Sequence, residues 1–418
     1  MNSTRYYSTL LVIFSIFLFS SFVLAQGGSW MTKTDMPTAR CALSASVAYE
    51  KIYAIGGSPY NLGSPYNTVE EYNPTTDSWT TKTNMPNARL LHCASTVNGK
   101  IYVIGGDVGG TATKKLDVYD PLTDSWTTNY SDMPTRRAAM CSEVVDGKIY
   151  VFGGTREPNF PSLKVMEKYD PATDTWTTEA NMLTGRYCFA SSVVDGKIYA
   201  IGGQGSSSSI STVEVYDPSI GIWTTMQGNM SIAKTDHCAS PVNGIIYAIG
   251  GYHALSIVEA YDPIADIWNG MTNMITGRCQ SGIGVVNGKI YVIGGQGSNS
   301  QGLDNVEEYT PPITSVENKV VNSIASLVLH QNYPNPFNPT TTIEFSLPRT
   351  EFVTLKIFNI LGEEVAVLVA ERLLAGRYKY EWDASTVASG VYFYKLWVSN
   401  PSGKTGNFDQ TRKMLLLK

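Results

Sequence analysis

The chain is poor in the groups that most metal and catalytic centres require. It has four histidines among 418 residues and no Cys-x-x-Cys or His-x-x-x-His, which leaves little to build a structural zinc site from. It has no Gly-x-Ser-x-Gly elbow, no His-Glu-x-x-His and no phosphate-binding loop. Charged residues make up 16% and the formal net charge is −5, without the basic stripe that nucleic acid would need. Thirty-seven glycines are far too few for collagen. At 43% hydrophobic residues, the chain can bury a core and does not read as disordered.

Only one long apolar run occurs. Arg5 lies in a short polar start, residues 9–25 carry no charge, and Val23-Leu24-Ala25 ends in small residues. This reads as an export signal over residues 1–25, cleaved before Gln26. The alternative, an N-terminal anchor, sits at the low limit of spanning length, since a bilayer core needs about 20 residues. After cleavage no integral membrane segment is expected.

What the sequence does have is repetition. A Gly-Gly pair closes an Ile-Tyr-x-Ile/Phe run six times: Gly56-Gly57, Gly105-Gly106, Gly153-Gly154, Gly202-Gly203, Gly250-Gly251 and Gly294-Gly295. A Tyr followed by Asp, Asn or Thr and then Pro recurs at 72, 119, 169, 216, 261 and 309. Tryptophan keeps step at Trp30, Trp79, Trp126, Trp176, Trp223 and Trp268. A basic residue stands 16 positions before each first glycine: Arg40, Arg89, Arg137, Arg186, Lys234 and Arg278. Each unit divides into four short strands, A to D. Asn-Gly or Asp-Gly suits a type I′ hairpin between A and B in five units. Tyr49-Glu50 in the first predicts a looser turn. One such sheet cannot bury both faces, so copies must stack, and radial stacking gives a propeller.

These landmarks resemble the kelch repeat over residues 26–311, and the resemblance implies an all-β, six-bladed propeller. The sixth unit has no Trp after Tyr309, while Trp30 stands ahead of the first strand A. Residues 30–37 are therefore expected to supply the outer strand of the last blade and close the ring.

Residues 312–326 read as a linker. Residues 327–418 lose the repeat and read as a β-sandwich of about seven strands. Their Asn332-Tyr333-Pro334-Asn335-Pro336-Phe337-Asn338-Pro339, Ile360-Leu361-Gly362-Glu363, Ala388-Ser389-Gly390-Val391-Tyr392 and basic, apolar C-terminus resemble the type IX secretion C-terminal sorting domain. That resemblance implies the type IX machinery as a partner and a secreted or outer-surface location in a Bacteroidetes-like bacterium. A plain Ig-like carbohydrate-binding module is the alternative, since a sandwich serves both.

If strand A lies nearest the axis, its even positions counted from the basic residue are expected to face the channel, and the odd ones to pack between blades. The five Arg and one Lys would then ring one mouth. On the same face lie the variable B-to-C loops, with Tyr60, Tyr66, Arg156, Phe160, Ser206 to Ser209, Tyr252 and His253. The functional reading is a cup with a cationic floor and aromatic walls, suited to an acidic peptide or anionic sugar. The plainer reading is that the basic residues only bond loop carbonyls. Cys41, Cys93, Cys141, Cys188, Cys238 and Cys279 read as free buried thiols, one per blade. If a bridge exists, Cys41–Cys279 is the expected pair. Asp236 and Glu143 are the acids expected in the channel, and they are the basis of an alternative reading as a sugar-acid epimerase-like enzyme. The primary expectation is a non-enzymatic, monomeric binding protein with no cofactor and no metal, whose partner is a protein, peptide or glycan.

Overall fold

The computed structural model describes residues 27–156, 161–312, 328–347, 351–373, 376–399 and 408–418. The export segment, Phe160 and residues 313–326 of the linker lie outside the described residues. All regular structure there is β, in two compact units that divide at Pro312/Ile313.

The first unit is six four-stranded antiparallel sheets. In blade 1 the strands are Ser44–Ala48, Lys51–Ile55, Val69–Asn73 and Ser78–Lys82. Strands B and C are buried along nearly their whole length because neighbouring sheets cover both faces, which explains their almost continuous apolar runs. Each strand A touches the strand A of the blades on either side, and these contacts run in a closed cycle. Ring closure is as expected. Ser29–Lys33 pairs antiparallel with Val306–Thr310 and places Trp30 opposite Tyr309, completing the blade formed by Gly282–Val286 and Lys289–Ile293.

Tyrosine and tryptophan form the outer seam. Within each blade the strand C Tyr packs on the strand D Trp, as Tyr72 does on Trp79 at 5.0 Å between ring centroids. The indole N–H then donates to a loop carbonyl of the preceding blade: Trp79 to Thr34, Trp126 to Thr83, Trp176 to Ser131, Trp223 to Ala180, Trp268 to Gly228 and Trp30 to Thr272. One side chain therefore supplies apolar area to its own sheet and a polar tie to its neighbour.

Gly-Gly is required by approach. A Cβ on Gly56 would stand 2.5 Å from the Arg89 carbonyl oxygen and 2.7 Å from His92 Cε1, and one on Gly105 would stand 2.5 Å from Met140 Cε. Both glycines of every pair have positive φ. The second donates its N–H to the carbonyl of the next blade's basic residue, from Gly57→Arg89 at 3.0 Å round to Gly295→Arg40 at 2.9 Å.

The first hairpin departs from expectation. Tyr49 and Glu50 form the same two-residue turn as the other blades, with φ of 50° and 58°, and Ala48 pairs with Lys51. The hairpin is regular, with two non-glycine residues held in the left-handed region.

The second unit packs the sheet of Val328–Leu329, Thr340–Leu347 and Gly376–Asp383 with a sheet of Glu364–Leu373, Glu351–Phe358, Gly390–Ser399 and Phe408–Leu416. The Asn-Pro-rich segment is bonded to the C-terminal strand. Phe337 is buried against Trp382, its N–H donates to Leu415 O, and Asn335 Oδ1 accepts from the Leu415 N–H.

Relief of the first turn is testable. Glu50→Gly removes one left-handed non-glycine residue and is expected to stabilise the propeller by about 1 kcal/mol. Denaturant unfolding of the variant checks this, and an unchanged midpoint would show that the turn carries no strain.

Candidate functional site

The six basic residues are fully buried, so they form no cationic floor. Each extends within its own blade to an acid on strand C: Arg40–Glu70 at 3.0 Å, Arg89–Asp117, Arg137–Glu167 at 2.8 Å, Arg186–Glu214 at 2.6 Å, Lys234–Glu259 at 2.7 Å and Arg278–Glu307 at 2.5 Å. Some of the arginines' other N–H groups reach main-chain carbonyls, as Arg186 Nη1 does to Gly202 and Thr212, while Arg40 Nε and Nη1, Arg137 Nε and Arg186 Nε are buried without an acceptor. Burial lowers the pKa of every one of these cations, to about 10 for Arg40, against the opposing pull of its carboxylate. This corrects the expected ring, and the acid partners also go beyond the plainer reading of carbonyl bonds alone: a buried charge persists only when paired, and the acid of strand C supplies the partner. That acid recurs in all six units, and this was the available sequence signal.

Strand A also departs from expectation, because its even positions pack in the seam and not on the channel. Even positions are buried toward the next blade in most units, and the odd positions Ala45, Val47, Ala94 and Thr96 keep partial exposure. Small even residues permit close approach. A Cβ on Gly282 would meet Ala45 Cβ at 2.9 Å. Polar even residues find partners across the seam: Ser44 with His92 Nε2 at 2.7 Å, Ser46 with Thr96 at 2.8 Å and Ser95 with Ser142 at 2.7 Å. Glu143 belongs to this set. It accepts from Ser191 Oγ at 2.6 Å, and burial lifts its pKa to about 7.

Two residues after each basic residue, the chain takes a left-handed conformation six times, with φ between 50° and 56° at Ala42, Leu91, Ala139, Cys188, Asp236 and Gln280. Each N–H donates to the corresponding carbonyl of the preceding blade: Ala42→Gln280, Leu91→Ala42, Ala139→Leu91, Cys188→Ala139, Asp236→Cys188 and Gln280→Asp236, all between 2.8 and 3.0 Å. Six main-chain hydrogen bonds thus form a closed ring about the axis. These residues and the ones that follow them line a hub cavity of about 110 Å³. Sequence reasoning passed over this ring because its side chains differ in every blade and only their backbone repeats. A larger hollow of about 490 Å³ lies off the axis, along Ile267–Gly270 of the blade 5 outer strand. Residues lining the hub come from all six blades, so we take the hub as the site.

The loop residues are distributed unevenly around it. Tyr60 and Tyr252 are exposed at 49% and 51%, with large apolar surface facing solvent. The Tyr60 backbone bridges to Gln301 of the blade 6 loop, and its neighbour Asn61 accepts a hydrogen bond from Gln280 Nε2 at 3.3 Å. The Tyr252 N–H donates to Thr235 O, and its ring lies 4.3 Å from that of His253. Tyr66 is half-buried, its carbonyl taken by the Arg89 N–H; Arg156 and Ser206 to Ser209 are exposed. Blades 1 and 5 therefore bring aromatics near the hub, and Arg156 stands on blade 3.

All six cysteines are free thiols. Cys41 and Cys279 do not form the expected bridge: Cys41 Sγ lies 3.9 Å from Ser58 Oγ, and Cys279 Sγ lies 3.6 Å from Gln296 Oε1. Each points to the B-to-C loop of its own blade. Burial raises the thiol pKa throughout, to about 11 for Cys93 and Cys238, which keeps them protonated and unreactive. His92 and His237 are held neutral, their pKa lowered to about 3 by burial and by the nearby cations.

Comparison with known proteins agrees with this architecture. The KLHDC2/KLHL20/DRC7 Kelch-repeats domain matches residues 25–184 and 92–295, and the secretion system C-terminal sorting domain matches 331–405. Kelch-like protein 24 of Rattus norvegicus is 33% identical over 99 residues, which is 24% of this chain and 16% of the relative. The F-box/kelch-repeat protein At1g67480 of Arabidopsis thaliana is 30% identical over 108 residues, 24% of this chain and 28% of the relative. The matches thus span about a sixth to a quarter of these relatives' length. The structure titled "Structure of YjhT" superposes with a TM-score of 0.58 at 16% identity, over 66% of this chain and 95% of that one.

Two outcomes follow. Arg89→Met leaves Asp117 buried without a counter-ion and is expected to cost about 3–5 kcal/mol, whereas Arg89→Met with Asp117→Leu recovers most of that loss. Chemical unfolding of both variants checks this; equal losses would mean the pair itself is not the source. For Glu143, the fold holds the proton more tightly than the unfolded chain does. Stability should therefore be greatest below pH 4.5, fall as pH rises to about 7, and stay level above. Glu143→Gln is expected to remove that slope and add about 2 kcal/mol at pH 8. An unchanged pH profile would contradict it.

Proposed function

The chain belongs to the kelch-repeat family, and from that membership and the attached sorting domain we propose that it is an exported binding protein whose loop face recognises a protein, peptide or glycan. The observation that carries this reading is the contrast between faces. On one, loops of unequal length and composition surround a small cavity and expose Tyr60, Leu62, Val108 and Tyr252. On the other, the A-to-B turns are six uniform two-residue links. Rigid scaffolds with variable loops at one end are where recognition concentrates, and large exposed aromatics serve as anchors.

The anionic-ligand preference is withdrawn, because the cations that would have supplied it are paired and buried. The epimerase-like alternative rests on two carboxylates acting on one substrate. Asp236 lines the hub cavity, but Glu143 does not and is engaged by Ser191. Binding is therefore the favoured function. The proposed route is signal-peptide passage of the inner membrane, then type IX export, delivering a monomer to the outer surface or medium of a Bacteroidetes-like bacterium.

The test is to present the mature protein to peptide and glycan arrays. Tyr60→Ala with Tyr252→Ala is expected to weaken captured ligands at least tenfold. Leu122→Ala, at an exposed turn of the opposite face, should leave them unchanged. Ligands lost equally in both variants, or in neither, would remove the loop-face assignment.

A further inference from the structure

We propose that the hub cavity receives one basic side chain of a partner, the guanidinium of arginine or the ammonium of lysine, with Asp236 as its counter-ion. This rests on the loop-face reading above and specifies the ligand chemistry of the same site.

The six left-handed hub positions are alike in backbone and differ in side chain. Ala42, Leu91, Ala139, Cys188 and Gln280 are neutral, and Asp236 is the only carboxylate among them. Its hydrogen bonds are Gln280 Nε2 at 3.1 Å and Thr235 Oγ1 at 3.4 Å, with the Cys188 thiol also adjacent. The basic residues of its own and the following blade, Lys234 and Arg278, are committed to Glu259 and Glu307. Among the described residues Asp236 forms no ion pair. A second acceptor beside it is unmet, because Gln280 Oε1 is buried without a donor. The Nε2 group of that amide is already shared between Asp236 and Asn61. One wall of the cavity thus presents a carboxylate that has hydrogen-bond donors but no cation, and an amide oxygen that has no donor.

The remainder suits the stem of such a side chain. Leu43, Leu91, Met140 and Phe189 line the other walls, and apolar contact along methylenes with a charged tip at the acceptor is how long basic side chains are ordinarily held. The cavity of about 110 Å³ takes three or four waters at about 30 Å³ each, or one such head group. Two tyrosines adjoin hub residues: Tyr187 precedes Cys188, and Tyr252 is bonded through its backbone to Thr235, the residue before Asp236. Tyrosine faces favour cations. Burial raises the Asp236 pKa; a cation would offset that burial, whereas an anionic ligand would add to it and a neutral sugar would leave the carboxylate without a counter-ion.

The test uses the intact mature protein carrying isotope-labelled methionine methyls, with Met140 as reporter. Acetyl-arginine amide and acetyl-lysine amide are titrated as probes, against the uncharged isostere acetyl-citrulline amide. Saturable shifts of the Met140 methyl are expected with the two cations, at least tenfold weaker with citrulline. They should be abolished in Asp236→Asn and weakened severalfold in Gln280→Ala, with thermal unfolding of both variants unchanged or improved. Equal response to citrulline, or arginine binding retained in Asp236→Asn, overturns the proposal. The array experiment separates this from failure of the loop face. Captured peptides that depend on Tyr60 and Tyr252 but contain no basic residue, and still bind Asp236→Asn, refute the hub cation alone. Captured peptides indifferent to both tyrosines refute the face itself.

Discussion

One buried ion pair per blade holds the propeller's geometry. A cation two residues before the hub turn reaches across its own sheet to an acid on strand C, while its carbonyl accepts from the second glycine of the blade before it. Side chain and main chain of one residue thus fix two relationships: the internal order of one sheet, and its spacing from the next. The pair's net contribution to stability is small, because desolvation consumes most of the attraction. Its value lies in specificity. A sheet paired in another register would bury a charge without its partner. Repeating that constraint six times round a closed cycle leaves little freedom in how adjacent sheets meet.

That arrangement also separates structure from recognition. Charges that recur in every unit are consumed within the sheets. Groups able to meet a ligand are those that break the repeat: one carboxylate at a hub position where other blades have neutral residues, one unsatisfied amide oxygen beside it, and two exposed tyrosines on loops of unequal length. In a repeat protein, regularity marks what the fold needs, and departures from it mark where chemistry is available.

The sequence displayed the architecture well because each landmark answers a geometric demand that only one or two residue types meet. The first glycine of each pair stands where a Cβ would strike the next blade's carbonyl, and indoles stand where one side chain must both fill a seam and donate a hydrogen bond. Trp30, stranded ahead of the first strand A, disclosed the ring closure for the same reason. The site was less legible. Strand alternation fixes that neighbouring side chains face opposite ways, but not which way the first one faces, so it could not tell that the even positions of strand A meet the next blade and not the channel. Arginine at a loop-face position reads the same whether it meets solvent or a carboxylate some 28 residues later in the chain, as Arg89 meets Asp117. The hub ring left no side-chain signature, because Ala42, Leu91, Ala139, Cys188, Asp236 and Gln280 share only a backbone angle.

Closure through the first strand has a consequence for biogenesis. Ser29–Lys33 emerges from the ribosome long before Val306–Thr310, the strand it pairs with in the finished sheet. Until that late strand arrives, the sixth sheet is incomplete and blades 1 and 6 cannot meet. With every thiol unbridged, no covalent link holds an early intermediate together. Completion is therefore all-or-none with respect to chain length, and a molecule halted anywhere before Thr310 is left with an open seam. Such a chain lacks its closing sheet during synthesis, and the ring can lock only once Thr310 has been made.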